Sequence, residues 1–376
     1  MKAPGKDNIL IIGKLPPPYI GTTVWMEILL ETSLKVHFNL HFLNTNANKS
    51  LGDFGRFSVK KVMANIGFYI ALYNTIRRVK PALVFLPVSQ TIAGFIKDAG
   101  FIFISRLAGR RPLIILHGSN FLNWYNITNR LSRLLIRKTL HHCYGAVVLG
   151  KALVPVFKPF FPDDKIFVAP NGGNFPVYKK EQRENHTIKL LYIGNLFPAK
   201  GPEDILQALR LLDAPVLQQV TLNMYGLAPQ PAFTDRLEKM ILDYRLPVNI
   251  APAVTGEQKF RIYYASDIFI FTPRSPEGLP YTIIEALSAS LPVITTGQGA
   301  IPDAVEDSIN GFIVRPNAPE EIAQKISYFV RSPEMIKKMG EASRLKYESK
   351  FTEEEMADAY KKIFNTVIHG IRTTGK

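Results

Sequence analysis

The chain has one cysteine, Cys143, among 376 residues. That excludes an internal disulfide and any cysteine metal cluster, and it fits a reducing compartment. There is no run of about 18 clean apolar residues, so no segment is expected to span a membrane. The longest candidate, Ala82–Ile96, is interrupted by Pro87, Ser89 and Gln90. The apolar run Ile9–Ile12 is too short for the core of a signal peptide and reads as a first strand. No G-x-G-x-x-G follows that strand, so a dinucleotide fingerprint is missing, and no G-K-[ST] occurs near Gly201, so a Walker A loop is excluded. Acidic residues are scarce in one half only. Residues 1–180 hold 24 Lys and Arg and 7 Asp and Glu (24 − 7 = +17), whereas residues 181–376 hold 22 and 24 (22 − 24 = −2).

Hydrophobic content of 47% and charged content of 20% are ordinary for a globular chain, and the length points to two domains, each with its own core. Short apolar runs recur, each closed by Gly, Pro or Asn and followed by a segment of helical spacing. Ile9–Ile12, Ala82–Leu86, Leu113–Leu116, Ala146–Leu149 and Ile166–Val168 read as buried strands of the first half, with Val36–Leu43 as a further strand and Val24–Ser33 as the first helix. Val177–His186 is polar and reads as a linker. The rhythm restarts with Ile188–Ile193, Val220–Tyr225, Val248–Ile250, Ile268–Phe271, Leu291–Thr296 and Phe312–Val314. The expectation is an α/β chain of two doubly wound parallel sheets.

The basic half holds apolar helices with cations. Arg56–Lys80, Lys97–Arg111 and Arg130–His142 are such segments, and Arg130, Arg133, Arg137 and Lys138 recur at steps of three and four, on one helix face. Either these are solvated faces, or they meet an anionic partner: a membrane leaflet, a lipid-phosphate acceptor or nucleic acid. No nucleic-acid recognition signature is present.

Two turns of the second half carry candidate chemistry. Gly194–Leu209 (GNLFPAKGPEDILQAL) places Lys200 just before a helix that starts at Pro202. A cation and helix N–H groups converging there suit a diphosphate. Ser266–Pro302 is a strand, loop, helix and strand, with Glu277 in the loop and Glu285 on the helix. A carboxylate beside such N–H groups suits neutral hydroxyls, because it would repel phosphate. In isolation the pair of glutamates reads as solvated residues.

The run PEGLPYTIIEALSASLPVITT, with the NGFIV turn and the strand–G–N–x–x–x–x–K–G element upstream, resembles the donor site of the family 4 retaining glycosyltransferases (glycosyl transferases group 1). The resemblance is strong over Ile188–Ser349. It implies the GT-B fold, two Rossmann-like domains facing a central cleft. Residues 1–180 would be the basic, acceptor-binding domain, residues 187–350 the nucleotide-sugar domain, and 351–376 a helix returning to the first. It implies that Glu277 and Lys200 are catalytic, with His117 lining the cleft beside the donor sugar. Asn195 stands where arginine is usual. Gly278, Leu279, Tyr281 and Thr282 would bind the donor diphosphate through N–H groups, Glu285 the ribose, and Gly21 and Thr22 would occupy the place of a glycine-rich loop. The implied co-substrate is a UDP- or GDP-sugar, with no other cofactor. No Asp-x-Asp occurs, which speaks against the metal-dependent GT-A class, so no metal is expected. The expected role is transfer to a glycan or lipid-linked acceptor in bacterial surface polysaccharide assembly, in the cytoplasm at the inner face of the membrane. The alternatives are a soluble acceptor, a sugar-nucleotide epimerase, and a two-domain binding protein without chemistry.

Overall fold

The structure, a computed structural model, describes residues 5–17, 19–46, 59–179 and 187–374. Residues 47–58 and 180–186, which hold the start of the expected basic segment from Arg56 and the end of the expected linker, lie outside the described residues. The chain forms two units: Met1–Gly173 with Glu353–Lys376, and Asn174–Thr352.

The first unit runs β1 (Asn8–Gly13), α1 (Gly21–Glu31), α2 (Leu34–His37), β2 (Asn39–Asn44), α3 (Val59–Val79), β3 (Leu83–Pro87), α4 (Ile92–Leu107), β4 (Leu113–Leu116), α5 (Phe121–Ile127), α6 (Arg130–His141), β5 (Gly145–Val148) and β6 (Ile166–Val168). Its sheet is parallel throughout, in the order β2-β1-β3-β4-β5-β6. Central strands such as Leu113–Leu116 are apolar at every position because both faces are covered. Right-handed crossovers place α3, α4 and α6 on one face and α1 on the other.

The first helix begins at Gly21, three residues before the expected Val24. Thr23 closes the turn early: its Oγ1 accepts from the Ile20 N–H at 3.1 Å and donates to the Ile20 carbonyl at 3.0 Å. The expected strand Val36–Leu43 is corrected. Residues 34–37 form a helical turn, and the strand starts at Asn39. Leu34 and Phe38, four apart, are both buried, and Phe38 meets Phe364 at 5.9 Å edge to face. The helical turn packs against the last helix, which Phe38 meets directly.

The second unit runs β7 (Ile188–Ile193), α7 (Pro202–Leu211), α8 (Ala214–Leu217), β8 (Val220–Tyr225), α9 (Pro231–Asp243), β9 (Val248–Ala251), α10 (Gly256–Tyr264), β10 (Ile268–Phe271), α11 (Tyr281–Ser288), β11 (Val293–Thr296), α12 (Ile301–Ala304), β12 (Gly311–Val314), α13 (Pro319–Arg331) and α14 (Glu334–Lys350). The sheet order is β12-β11-β10-β7-β8-β9, all parallel. The chain builds outward from β7 to β9, then returns to place β10 on the other side of β7. That reversal opens a crevice between the loops that leave β7 and β10, which is where ligands bind in open α/β sheets. The helix α15 (Glu353–Thr374) belongs to the first unit, where Tyr360 and Phe364 pack on Phe85.

Candidate functional site

Lys200 and Glu277 are 77 residues apart in sequence and form an ion pair. The sheet order explains it: β7 and β10 are neighbours, so the turns at their carboxyl ends touch. The first turn leaves β7 through Gly194 and Asn195. Tyr192 donates its hydroxyl to the Asn195 carbonyl at 3.1 Å. A 3-10 turn, Pro198–Lys200, leads to Gly201, whose φ of 75° is a left-handed conformation that favours glycine. A Cβ there would also lie 1.8 Å from the Thr272 carbonyl oxygen, so the two turns meet backbone to backbone.

The second turn is fastened to the first. Arg274 and Ser275 donate backbone N–H groups to the Ala199 carbonyl at 2.9 and 3.3 Å. The Arg274 guanidinium grips Asp204 through Nε at 2.8 Å and Nη2 at 2.5 Å, and reaches Glu203 at 3.2 Å. Those two carboxylates lie in the first turn of α7 and hold the Arg274 guanidinium above its usual range, Asp204 most of all. The β11 loop closes the far side. Gly299 has φ 59°, and a Cβ on it would lie 1.7 Å from the Glu277 carbonyl oxygen; the Ala300 N–H donates to the Gly278 carbonyl at 2.9 Å.

Lys200 is partly exposed and sits 5.7 Å from the centre of the Phe271 ring. Leu279 and Tyr281 bury their side chains, so any role they have toward a ligand runs through backbone. Helix α11 starts at Tyr281 behind Pro280 with no side-chain cap. Its N-terminal N–H groups and Lys200 together make a positive rim around Glu277.

Glu285 is not a solvated helix residue. It is 3% exposed, and α10 satisfies both its oxygens. Lys259 Nζ lies 2.5 Å from Oε1, and the Tyr263 hydroxyl donates to Oε2 at 2.9 Å. Burial and the Glu285 charge both push the Tyr263 hydroxyl well above its usual range, so it is a donor at any ordinary pH. Lys259 and Tyr263 are four apart on one face of α10. The sequence reading missed them, and missed Arg274; the i, i+4 pair was visible, but not what it faced.

In the first unit Gly21 and Thr22 are exposed in the opening turn of α1, and no atom stands within 4 Å of a Cβ on Gly21. His117 follows β4 and packs on Trp25, with ring centres 4.3 Å apart. The residue as a whole is half-buried, and its Nε2 is buried without a hydrogen-bond partner. Burial lowers its pKa to about 3, so it is neutral above that pH. Among the described residues no group of three or more His, Cys, Asp or Glu is placed to hold a metal ion, and no helix is long and apolar enough to cross a membrane.

Residues 175–346 match the glycosyl transferases group 1 family. A relative described as an uncharacterized glycosyltransferase, from Methanocaldococcus jannaschii, is 25% identical over 289 residues, 72% of each chain. Several further glycosyltransferase relatives are matched over less than two thirds of their own length. Among solved structures, Anabaena HepE in complex with UDP is similar at a TM-score of 0.72 with 14% identity, over 96% of this chain and 100% of that one. The apo form of a lipopolysaccharide outer core galactosyltransferase reaches 0.71 with 14% identity, over 96% and 99%. These likenesses show the fold: two parallel six-stranded sheets with helices, of the GT-B type.

Proposed function

We propose that this chain, whose residues 175–346 belong to the glycosyl transferases group 1, moves a sugar from a nucleotide sugar to an acceptor hydroxyl with retention at the anomeric carbon and without a metal. The observation that carries the reading is the Lys200–Glu277 pair at the crevice between β7 and β10. Charge grows on the leaving diphosphate as the glycosidic bond breaks, and preorganised donors aimed at it are the strongest tool available. The Lys200 ammonium, the Asn195 amide and the N–H groups of Gly278, Leu279, Tyr281 and Thr282 supply them. As Lys200 turns to the diphosphate, Glu277 is released to accept from the sugar hydroxyls. Glu285, held rigid by Lys259 and Tyr263, keeps spare acceptor capacity on both oxygens for the ribose hydroxyls. His117 is assigned a neutral, shape-giving role beside the donor sugar rather than that of a base.

UDP is the favoured carrier, since the similar Anabaena protein is described in complex with it. The acceptor class is a glycan or lipid-linked glycan of surface polysaccharide, in line with the name of the similar galactosyltransferase, and the working compartment is the cytoplasm. The test is a screen of UDP- and GDP-sugars against glycan, lipid-linked and small soluble acceptors, read by mass spectrometry for transfer and by NMR for the configuration of the sugar carbons. One sugar mass added to an acceptor, in the α-linkage from an α-donor, is the expected product. Inversion of one sugar carbon without transfer would make the chain an epimerase. Binding of the nucleotide sugar with neither outcome would make it a binding protein.

A further inference from the structure

We infer that the outer side of the α3–α4–α6 layer is a docking surface for an anionic lipid leaflet, lying flat in the headgroup region. The inference rests on the surface of the first unit alone, not on sugar transfer.

Three helices cover that face of the sheet, α3 against α4 and α4 against α6. Their inward residues are buried as expected: Phe95, Phe101 and Ile102 on α4, and Ile136 and Leu140 on α6. Beside polar residues, their outward sides carry large apolar ones that a solvated layer would not. On α6, Leu131 is 80% and Leu134 55% exposed, although Ile136 and Leu140 already face the core. On α4, Phe103 and Leu107, four apart, are 59% and 65% exposed. On α3, Ile66 and Ile70 repeat the pattern. Half of the exposed large apolar side chains among the described residues lie on this one layer. Single exposed leucines need no explanation, but aliphatic stripes on three adjacent helices do.

Charge decides what covers them. From Met63 to His142 the sequence has 11 Lys and Arg and one acidic residue, Asp98 (11 − 1 = +10). Asp98 is buried, accepting from the Ser89 N–H at 2.7 Å and pairing with Lys97 at 3.1 Å, so no exposed carboxylate interrupts the field. On α6, Arg130, Arg137 and Lys138 are exposed and flank Leu131 and Leu134, with Arg133 half-buried at their side. A second copy of the chain would set this positive face against itself. Nucleic acid would satisfy the cations and leave the aliphatic stripes in water. An anionic leaflet satisfies both: phosphates meet the guanidinium and ammonium groups while leucine, isoleucine and phenylalanine side chains enter the acyl boundary.

The experiment is flotation of the full chain with vesicles of phosphatidylcholine alone and with about 30% phosphatidylglycerol, at low salt and at about 0.5 M NaCl. Wild type should float with the anionic vesicles only, and the bound fraction should fall at high salt. Leu131→Ser with Leu134→Ser, and separately Arg137→Glu with Lys138→Glu, should each weaken the partition by at least about tenfold. Leu242→Ser with Leu345→Ser, equally exposed in the second unit, should leave it unchanged. All four α6 positions are surface residues, so circular dichroism should report an unaltered fold. Equal flotation of the α6 and control variants, no flotation of wild type, or binding to a DNA duplex with none to vesicles would each overturn the proposal. A salt-stable dimer whose contact the α6 changes abolish would do the same. None of these readings depends on donor or acceptor.

Discussion

At the scale of single residues, the site depends on charges placed where their neighbours define them. Lys200→Ala and Glu277→Ala should each lower turnover by about 10²–10³ while thermal unfolding stays close to wild type, measured as donor consumption with the acceptor that the screen identifies. Near-normal rates in both would remove the assignment. His117 makes a separate prediction. Its pKa is about 3 when folded, against 6.5 for an ordinary histidine, so between those values the unfolded chain binds the extra proton. Stability is then fully present above pH 6.5 and is lost as pH falls toward 3. From pH 7 to pH 5 this one group should cost about 2 kcal/mol, and His117→Gln should lose that much less in urea unfolding across the same interval. Lys200, Glu277 and Glu285 stand out in the sequence as candidates because turn chemistry and a familiar pattern surround them. The partners of Glu285 do not: Lys259 and Tyr263 are 26 and 22 residues away, and only the packing of α10 on α11 brings them there.

At the scale of elements, two turns are held as one object. Gly201 and Gly299 each occupy a left-handed conformation with a carbonyl oxygen where a Cβ would go, so alanine at either must move backbone. Gly201→Ala should cost at least about 1 kcal/mol from conformation alone. It should also lower nucleotide affinity through displacement of Lys200, seen in calorimetry with UDP. Arg274→Ala leaves Asp204, 1% exposed, without its cation. The expected loss is about 3 kcal/mol in denaturant, with Arg274→Lys recovering part of it because one ammonium cannot reproduce the fork. A wild-type midpoint in Arg274→Ala would show that the clasp is idle. Strands were easy to read from sequence because parallel strands are apolar on both faces; Leu113–Leu116, Ile166–Val168 and Ile188–Ile193 fall where they were expected. The turn at Leu34–His37 was hidden, since part of its packing comes from a helix more than three hundred residues later.

At the scale of the molecule, that later helix is the feature with the widest reach. Met356, Tyr360, Phe364, Val367 and Ile368 of α15 are buried in the first unit. At about 2 kcal/mol each they match most of the stability of a typical domain. A chain ending at Thr352 should therefore keep a protease-resistant second unit and lose resistance in the first, read as fragments by mass spectrometry; an intact first unit would refute this. The sequence announced a terminal helix but not the aromatic faces it covers, because Trp25, Phe38 and Phe85 look like ordinary core until their partner is known. The order of synthesis consequently runs against the order of completion. A ribosome finishes every strand of the second unit before Trp25 and Phe85 receive their final neighbours. The nascent first unit must wait half-closed, and during that wait its aromatic face is a natural client for a chaperone.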